Sequence, residues 1–125
     1  MTRCFKILNI EDDEHSIALL ACMISAKVPG AVLKFADSRK EAEKFKGEKW
    51  DLIICDGDIP AWKNHFDDVK EWFDAPIVML SGRAHCDLEV FLKKGALKAF
   101  QKIPIEFNNL IEYVKNSLDQ QTTSA

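Results

Sequence analysis

The chain has 125 residues, 47% of them hydrophobic and 30% charged, with a formal net charge of −3. That length suffices for one domain with a proper core and is too short for two. The slight acidic excess argues against a general nucleic-acid surface, which needs a basic one. No apolar run approaches the roughly 18 residues of a membrane span, and Met1 leads straight into a strand-like run rather than a signal peptide.

Taken in order, Phe5-Lys6-Ile7-Leu8-Asn9-Ile10 is a short apolar run that Glu11-Asp12-Asp13-Glu14 stops. Ile17, Leu20, Ile24 and Val28 then recur at helical spacing until Pro29-Gly30. Val32 to Phe35 reads as a second strand. Ser38-Arg39-Lys40-Glu41 is a capping box opening a helix that Gly47 closes. Leu52-Ile53-Ile54-Cys55 runs unbroken into Asp56, the pattern of a strand buried on both faces, and Gly57-Asp58-Ile59-Pro60 breaks it. Asn64 is placed to cap a third helix carrying Phe66, Val69, Trp72 and Phe73. Pro76 to Leu80 is another buried strand, halting at Ser81-Gly82. Asp87 is placed to cap a helix with Leu88, Phe91 and Leu92 that Gly95 ends. Leu97 to Gln101 is a fifth strand reaching Lys102, and Ile105 to Leu118 is a last amphipathic helix. Residues 1–118 are thus one domain, and residues 119–125 are a polar tail without apolar anchors, expected to be disordered.

Strand–helix alternation of this kind predicts an α/β fold, a doubly wound five-stranded parallel sheet with helices on both faces. The cysteines Cys4, Cys22, Cys55 and Cys86 are scattered without metal-ligand spacing, and Cys22 and Cys55 read as small core residues in a reducing cytoplasm. His15 and His65 stand among polar residues and read as surface histidines. Trp62 reads as a loop side chain folded onto the third helix.

Parallel strands deliver their carboxyl ends to one edge, where open α/β sheets place ligands. That edge gathers Glu11-Asp12-Asp13, Asp56, Ser81 and Lys102. Carboxylates about 4 Å apart repel by about 4 kcal/mol per pair at an effective dielectric near 20, and a divalent cation relieves this. An all-oxygen set suits Mg²⁺, with Mn²⁺ as the alternative. The chemistry it supports is phosphoryl transfer, with a carboxylate as nucleophile and the metal, Lys102 and the Ser81 hydroxyl sharing the phosphoryl oxygens.

At these residues the sequence resembles the receiver domains of two-component response regulators, in particular stand-alone, chemotaxis-regulator-like ones. The likeness rests on Ile7 to Asp13, Asp51 to Pro60, Pro76 to Gly82, and Gly95-Ala96 with Lys102, and covers Phe5 to about Leu118. It implies the flavodoxin-like receiver fold. It further implies that Asp56 accepts a phosphoryl group from a phosphohistidine of a sensor histidine kinase or histidine phosphotransfer protein. Asp12 and Asp56 would be direct Mg²⁺ ligands, the Asp58 backbone carbonyl a third, and Glu11 would act through a water. Asp13 falls outside that set. Ser81 would hydrogen-bond the phosphoryl group and Lys102 would pair with it. Such a protein catalyses its own phosphorylation and slow dephosphorylation without multiple turnover. Its phosphorylated state changes binding to a downstream protein in the cytoplasm, with no nucleic acid or membrane involved.

The sequence departs from the family at three places. Ala61-Trp62-Lys63-Asn64 stands where Asp-Gly follows the proline, so the loop and third helix are expected to be atypical. Ile103 separates Lys102 from Pro104, which bears on how the lysine is aimed. Ala99 stands three places before the lysine, where a large residue is usual, and strand alternation puts Phe100 on the opposite face. An aromatic switch is therefore expected to be absent, with phosphorylation reshaping mainly the loops after Asp56 and Ser81, and Arg83 is expected to reach Asp58 and slow phosphate loss. Two rivals differ in chemistry. A haloacid-dehalogenase-type phosphatase would also use Asp56-Gly57-Asp58, but its metal-completing acidic pair comes late in the chain, whereas here the pair comes first. A binding-only pseudo-receiver would lack one of the site residues, and none is missing.

Overall fold

The five apolar runs become the five strands of one sheet in the computed structural model, which describes residues 4–82 and 85–123. In chain order the elements are β1 (Phe5–Ile10), α1 (Glu14–Lys27), β2 (Ala31–Ala36), α2 (Arg39–Glu43), β3 (Leu52–Cys55), α3 (His65–Trp72), β4 (Ile77–Ser81), α4 (His85–Lys94), β5 (Lys98–Gln101) and α5 (Pro104–Thr123). Every strand pairing is parallel, in the order β2-β1-β3-β4-β5, so β1 and β3 lie side by side at the point where the winding reverses. This is the doubly wound α/β sheet expected from the alternation.

Successive strand residues face opposite sides, and the two sides build two cores. Ile7, Leu52, Ile54, Val78 and Leu80 pack with Leu20 and Ile24 of α1 and with Leu110 and Ile111 of α5. Leu8, Ile10, Ile53, Cys55 and Met79 pack with Phe66 and Val69 of α3 and with Leu88 and Phe91 of α4. Because helices cover both faces, all four residues of β3 are buried, which is why its sequence runs without alternation. Each fully buried aliphatic side chain contributes about 1.5–3 kcal/mol. Among the described residues no helix is long and apolar enough to cross a membrane.

Several local expectations are corrected. Asn64 does not cap α3 with its side chain: it takes a left-handed conformation at φ 57°, and the loop enters α3 through this residue and Ala61, at φ 65°. α4 starts at His85, two residues before Asp87, which falls in its first turn. α2 ends at Glu43, and turns continue to Gly47, whose φ of 88° closes the segment. Ser38 does cap α2, accepting from the Glu41 N–H at 3.3 Å. α5 continues through residues 119–123, expected as tail, because that stretch has neither proline nor glycine to stop a helix. Cys22 lies on the outer side of α1 and is exposed, whereas Cys55 is a core residue whose thiol pKa burial pushes up.

Candidate functional site

The last residues of the strands meet at the carboxyl edge. Glu11 and Asp12 leave β1, Asp56 follows β3, Ser81 ends β4, and Lys102 follows β5. Backbone pairing continues past the strand ends and fixes their relative heights. Glu11 N–H donates to the Ala36 carbonyl at 3.0 Å, Asp56 N–H to Ile10 at 2.8 Å, and Lys102 N–H to Ser81 at 2.9 Å.

Carboxylate oxygens of Glu11, Asp12 and Asp56 all lie within 4.8 Å of one another. Glu11 and Asp56 are buried, at 1% and 5% exposure, while Asp12 faces solvent. Lys102 Nζ sits between the two buried carboxylates, 2.8 Å from Glu11 Oε1 and 3.4 Å from Asp56 Oδ2. The shorter contact is one of charge, since Oε1 is not aligned for a hydrogen bond. Asp58 N–H donates to Asp56 Oδ1 at 3.3 Å, so each oxygen of that carboxylate faces a donor. Lys102 reaches the cluster although Ile103 follows it, through a chain with no cis peptide among the described residues.

Crowded acids protect their protons. Burial, reinforced by the Asp56 carboxylate and offset in part by Lys102, lifts Glu11 from 4.5 to about 8. Desolvation and the charge of Asp56 raise Asp12 as well, against its own backbone hydrogen bond and Lys102. For Lys102, burial opposes the charged form, but its close contact with Glu11 and the charges of Asp56 and Glu11 outweigh it and raise the pKa. Asp13 is turned away to cap α1, accepting from Ser16 N–H at 3.1 Å and Ser16 Oγ at 2.6 Å, and these bonds lower its pKa. The remaining set is all oxygen, two members buried and one open to solvent, and it fits a hard divalent cation.

Ser81 is buried beside the loop that follows Asp56. A Cβ added at Gly57 would lie 2.8 Å from Ser81 Oγ and 3.3 Å from Phe91 Cε2, so the loop runs directly over the hydroxyl where only glycine fits. Trp62 folds onto α3 as expected, stacking on Trp72 with centroids 5.5 Å apart and donating from Nε1 to Asp68 Oδ2 at 2.9 Å. Arg83, the expected partner of Asp58, lies outside the described residues.

His65 overturns its expectation. It is 7% exposed, and its Nε2 lies 2.7 Å from the carbonyl oxygen of Asp56. The signal was in the spacing: His65 and Val69 fall at i and i+4, on the buried side of α3 that Phe66 shares. Gly57 was equally readable as a break in the chain, but its contact with Ser81 comes from tertiary packing alone.

No protein-family model and no curated protein matches the chain. Solved structures do. A CheY-like response regulator receiver domain from Methanospirillum hungatei is 22% identical, with 98% of this chain and 100% of that one covered and a TM-score of 0.76. A receiver domain from Clostridium thermocellum is 20% identical over 96% and 98% of the two chains, with a TM-score of 0.75. The response regulator domain of Thermotoga maritima CheB is 22% identical over 94% and 96%, with a TM-score of 0.72. The fold of this chain is therefore that of the response regulator receiver domains.

Proposed function

We propose that the chain is a phosphoacceptor receiver in which the Asp56 carboxylate takes a phosphoryl group from a phosphohistidine. The observation that supports this most is Lys102 held between Glu11 and Asp56, beside the third carboxylate of Asp12. In the step, an Asp56 oxygen forms a bond to phosphorus as the phosphorus–nitrogen bond breaks. The electron pair returns to the donor imidazole, which takes a proton from solvent. Lys102 leaves its ion pairs to meet a phosphoryl oxygen, and the Ser81 hydroxyl donates to another. Asp12 and Asp56, with the Asp58 carbonyl and Glu11 through a water, would hold Mg²⁺ or Mn²⁺. When bound, the cation neutralises the acidic cluster and the charge spread over the transferring group.

The donor would be a sensor histidine kinase or a histidine phosphotransfer protein in the cytoplasm, and the phosphorylated form would bind a downstream protein differently. The test is incubation with Mg²⁺ and acetyl phosphate, followed by intact mass. One alkali-labile phosphoryl group, absent from Asp56→Asn, is expected. Sustained hydrolysis of a phosphomonoester would instead favour a phosphatase.

A further inference from the structure

We propose that His65 is a positioning residue for Asp56, its Nε2–H pinning the Asp56 carbonyl and thereby the peptide that links the acceptor to Gly57. The proposal rests on the phosphoacceptor reading of the site. A backbone carbonyl only accepts, so the 2.7 Å contact requires the proton on Nε2. A buried polar ring left without a partner loses its hydration with nothing in exchange, which makes this bond worth keeping. The ring is also wedged in place: its centroid lies 6.1 Å from Trp62 at 60° and 6.2 Å from Phe91 at 58°.

The need for such a pin follows from what surrounds it. The peptide after Asp56 leads into glycine, the residue that restrains it least. The loop beyond carries two residues at positive φ, Ala61 and Asn64, a backbone conformation that surrounding contacts must hold. His65, at the start of α3, joins the far end of that loop to its beginning. On the side-chain side, Asp56 Oδ1 is held by Asp58 N–H at 3.3 Å, a longer bond whose donor moves with the same peptide. Rotation of the Asp56–Gly57 peptide would therefore displace the acceptor carboxylate, the Asp58 N–H and the Asp58 carbonyl together. The imidazole opposes this at the Asp56 carbonyl, which accepts a second, longer bond from Cys55 Sγ at 3.3 Å.

A side chain that merely fills space would be replaced by leucine without loss, so the discriminating pair is His65→Leu and His65→Gln. Mg²⁺ affinity by tryptophan fluorescence and phosphorylation rate with acetyl phosphate are measured in both, with melting temperature as a check on folding. His65→Leu is expected to weaken Mg²⁺ binding and slow phosphorylation by about tenfold, as loss of a supporting hydrogen bond does at metal sites, and His65→Gln to recover most of both. In the unaltered protein, ring-nitrogen NMR is expected to show a protonated Nε2 coupled to the Asp56 carbonyl. His65→Leu matching wild type in both assays overturns the proposal, as does an unprotonated Nε2. If His65→Leu does not fold, the glutamine variant and the NMR coupling decide. If wild type binds Mg²⁺ yet gains no phosphoryl group, the phosphoacceptor reading fails, and the positioning role is decided by the Mg²⁺ affinity ratio.

Discussion

Glu11 is an acid that holds its proton more tightly in the folded protein than in the unfolded chain. Burial and its neighbour Asp56 hold it at about 8, against an ordinary 4.5. Between those values the native state binds a proton that the unfolded state has released, so stability is greatest below the lower value and is lost as pH rises toward the upper one. Urea midpoints of the metal-free protein should therefore fall across that window, and Glu11→Gln should flatten most of the fall. A midpoint that rises with pH in wild type would contradict the assignment. At this scale the acids, Ser81 and Lys102 were readable because each stands where an apolar run stops, and a parallel sheet sends all such stops to one edge. His65 was misread because Lys63, Asn64, Asp67 and Asp68 around it are polar, whereas it shares the buried side of α3 with Phe66 and Val69.

Among the elements, the third helix and the loop before it depart most from a plain reading. The loop does contain the departure expected at residues 61–64, but its geometry comes from left-handed backbone and from Trp62, not from an asparagine cap. Such conformations follow from packing partners distant in sequence, which local spacing does not encode. Under the proposed function, β5 would bear on signal output. Ala99 faces the α3–α4 core and has no rotamer to change, while Phe100 packs on the opposite side, 6.1 Å from Tyr113. Phe91 of α4 already occupies the space beside Gly57 and Ser81. Phosphorylation should then alter amide exchange mainly in the loop after Asp56 and the turn after Ser81, as read with a phosphoryl mimic present and absent. A coordinated change running from Leu88 to Phe100 would refute a fixed β5.

For the whole molecule, the parallel sheet and its layering were legible because a sheet covered on both faces demands uninterrupted apolar runs, and this chain has them. The extent of α5 was not, since polar helical residues and polar tail residues look alike without a stop signal. A cation that binds only the native state raises the melting temperature by mass action. Mg²⁺ should do so for wild type and far less for Asp12→Ala, while Asp12→Asn should raise the melting temperature of the metal-free protein by relieving repulsion. An equal Mg²⁺ response in wild type and Asp12→Ala would remove the case for a metal at this edge.

The separation along the chain of the residues that meet there carries a kinetic consequence. Glu11, Asp56 and Lys102 come from segments some 45 residues apart, the Lys102–Asp56 contact spanning 46, and they are brought together only when β1 has paired with β3 and β5 with β4. Contacts of such long range form late, after the entropy of closing the intervening loops has been overcome. A site absent from the folding transition state cannot speed its crossing. Mg²⁺ should therefore leave the refolding rate in stopped-flow experiments nearly unchanged and act by slowing unfolding, so the ion serves as a brake on leaving the native state.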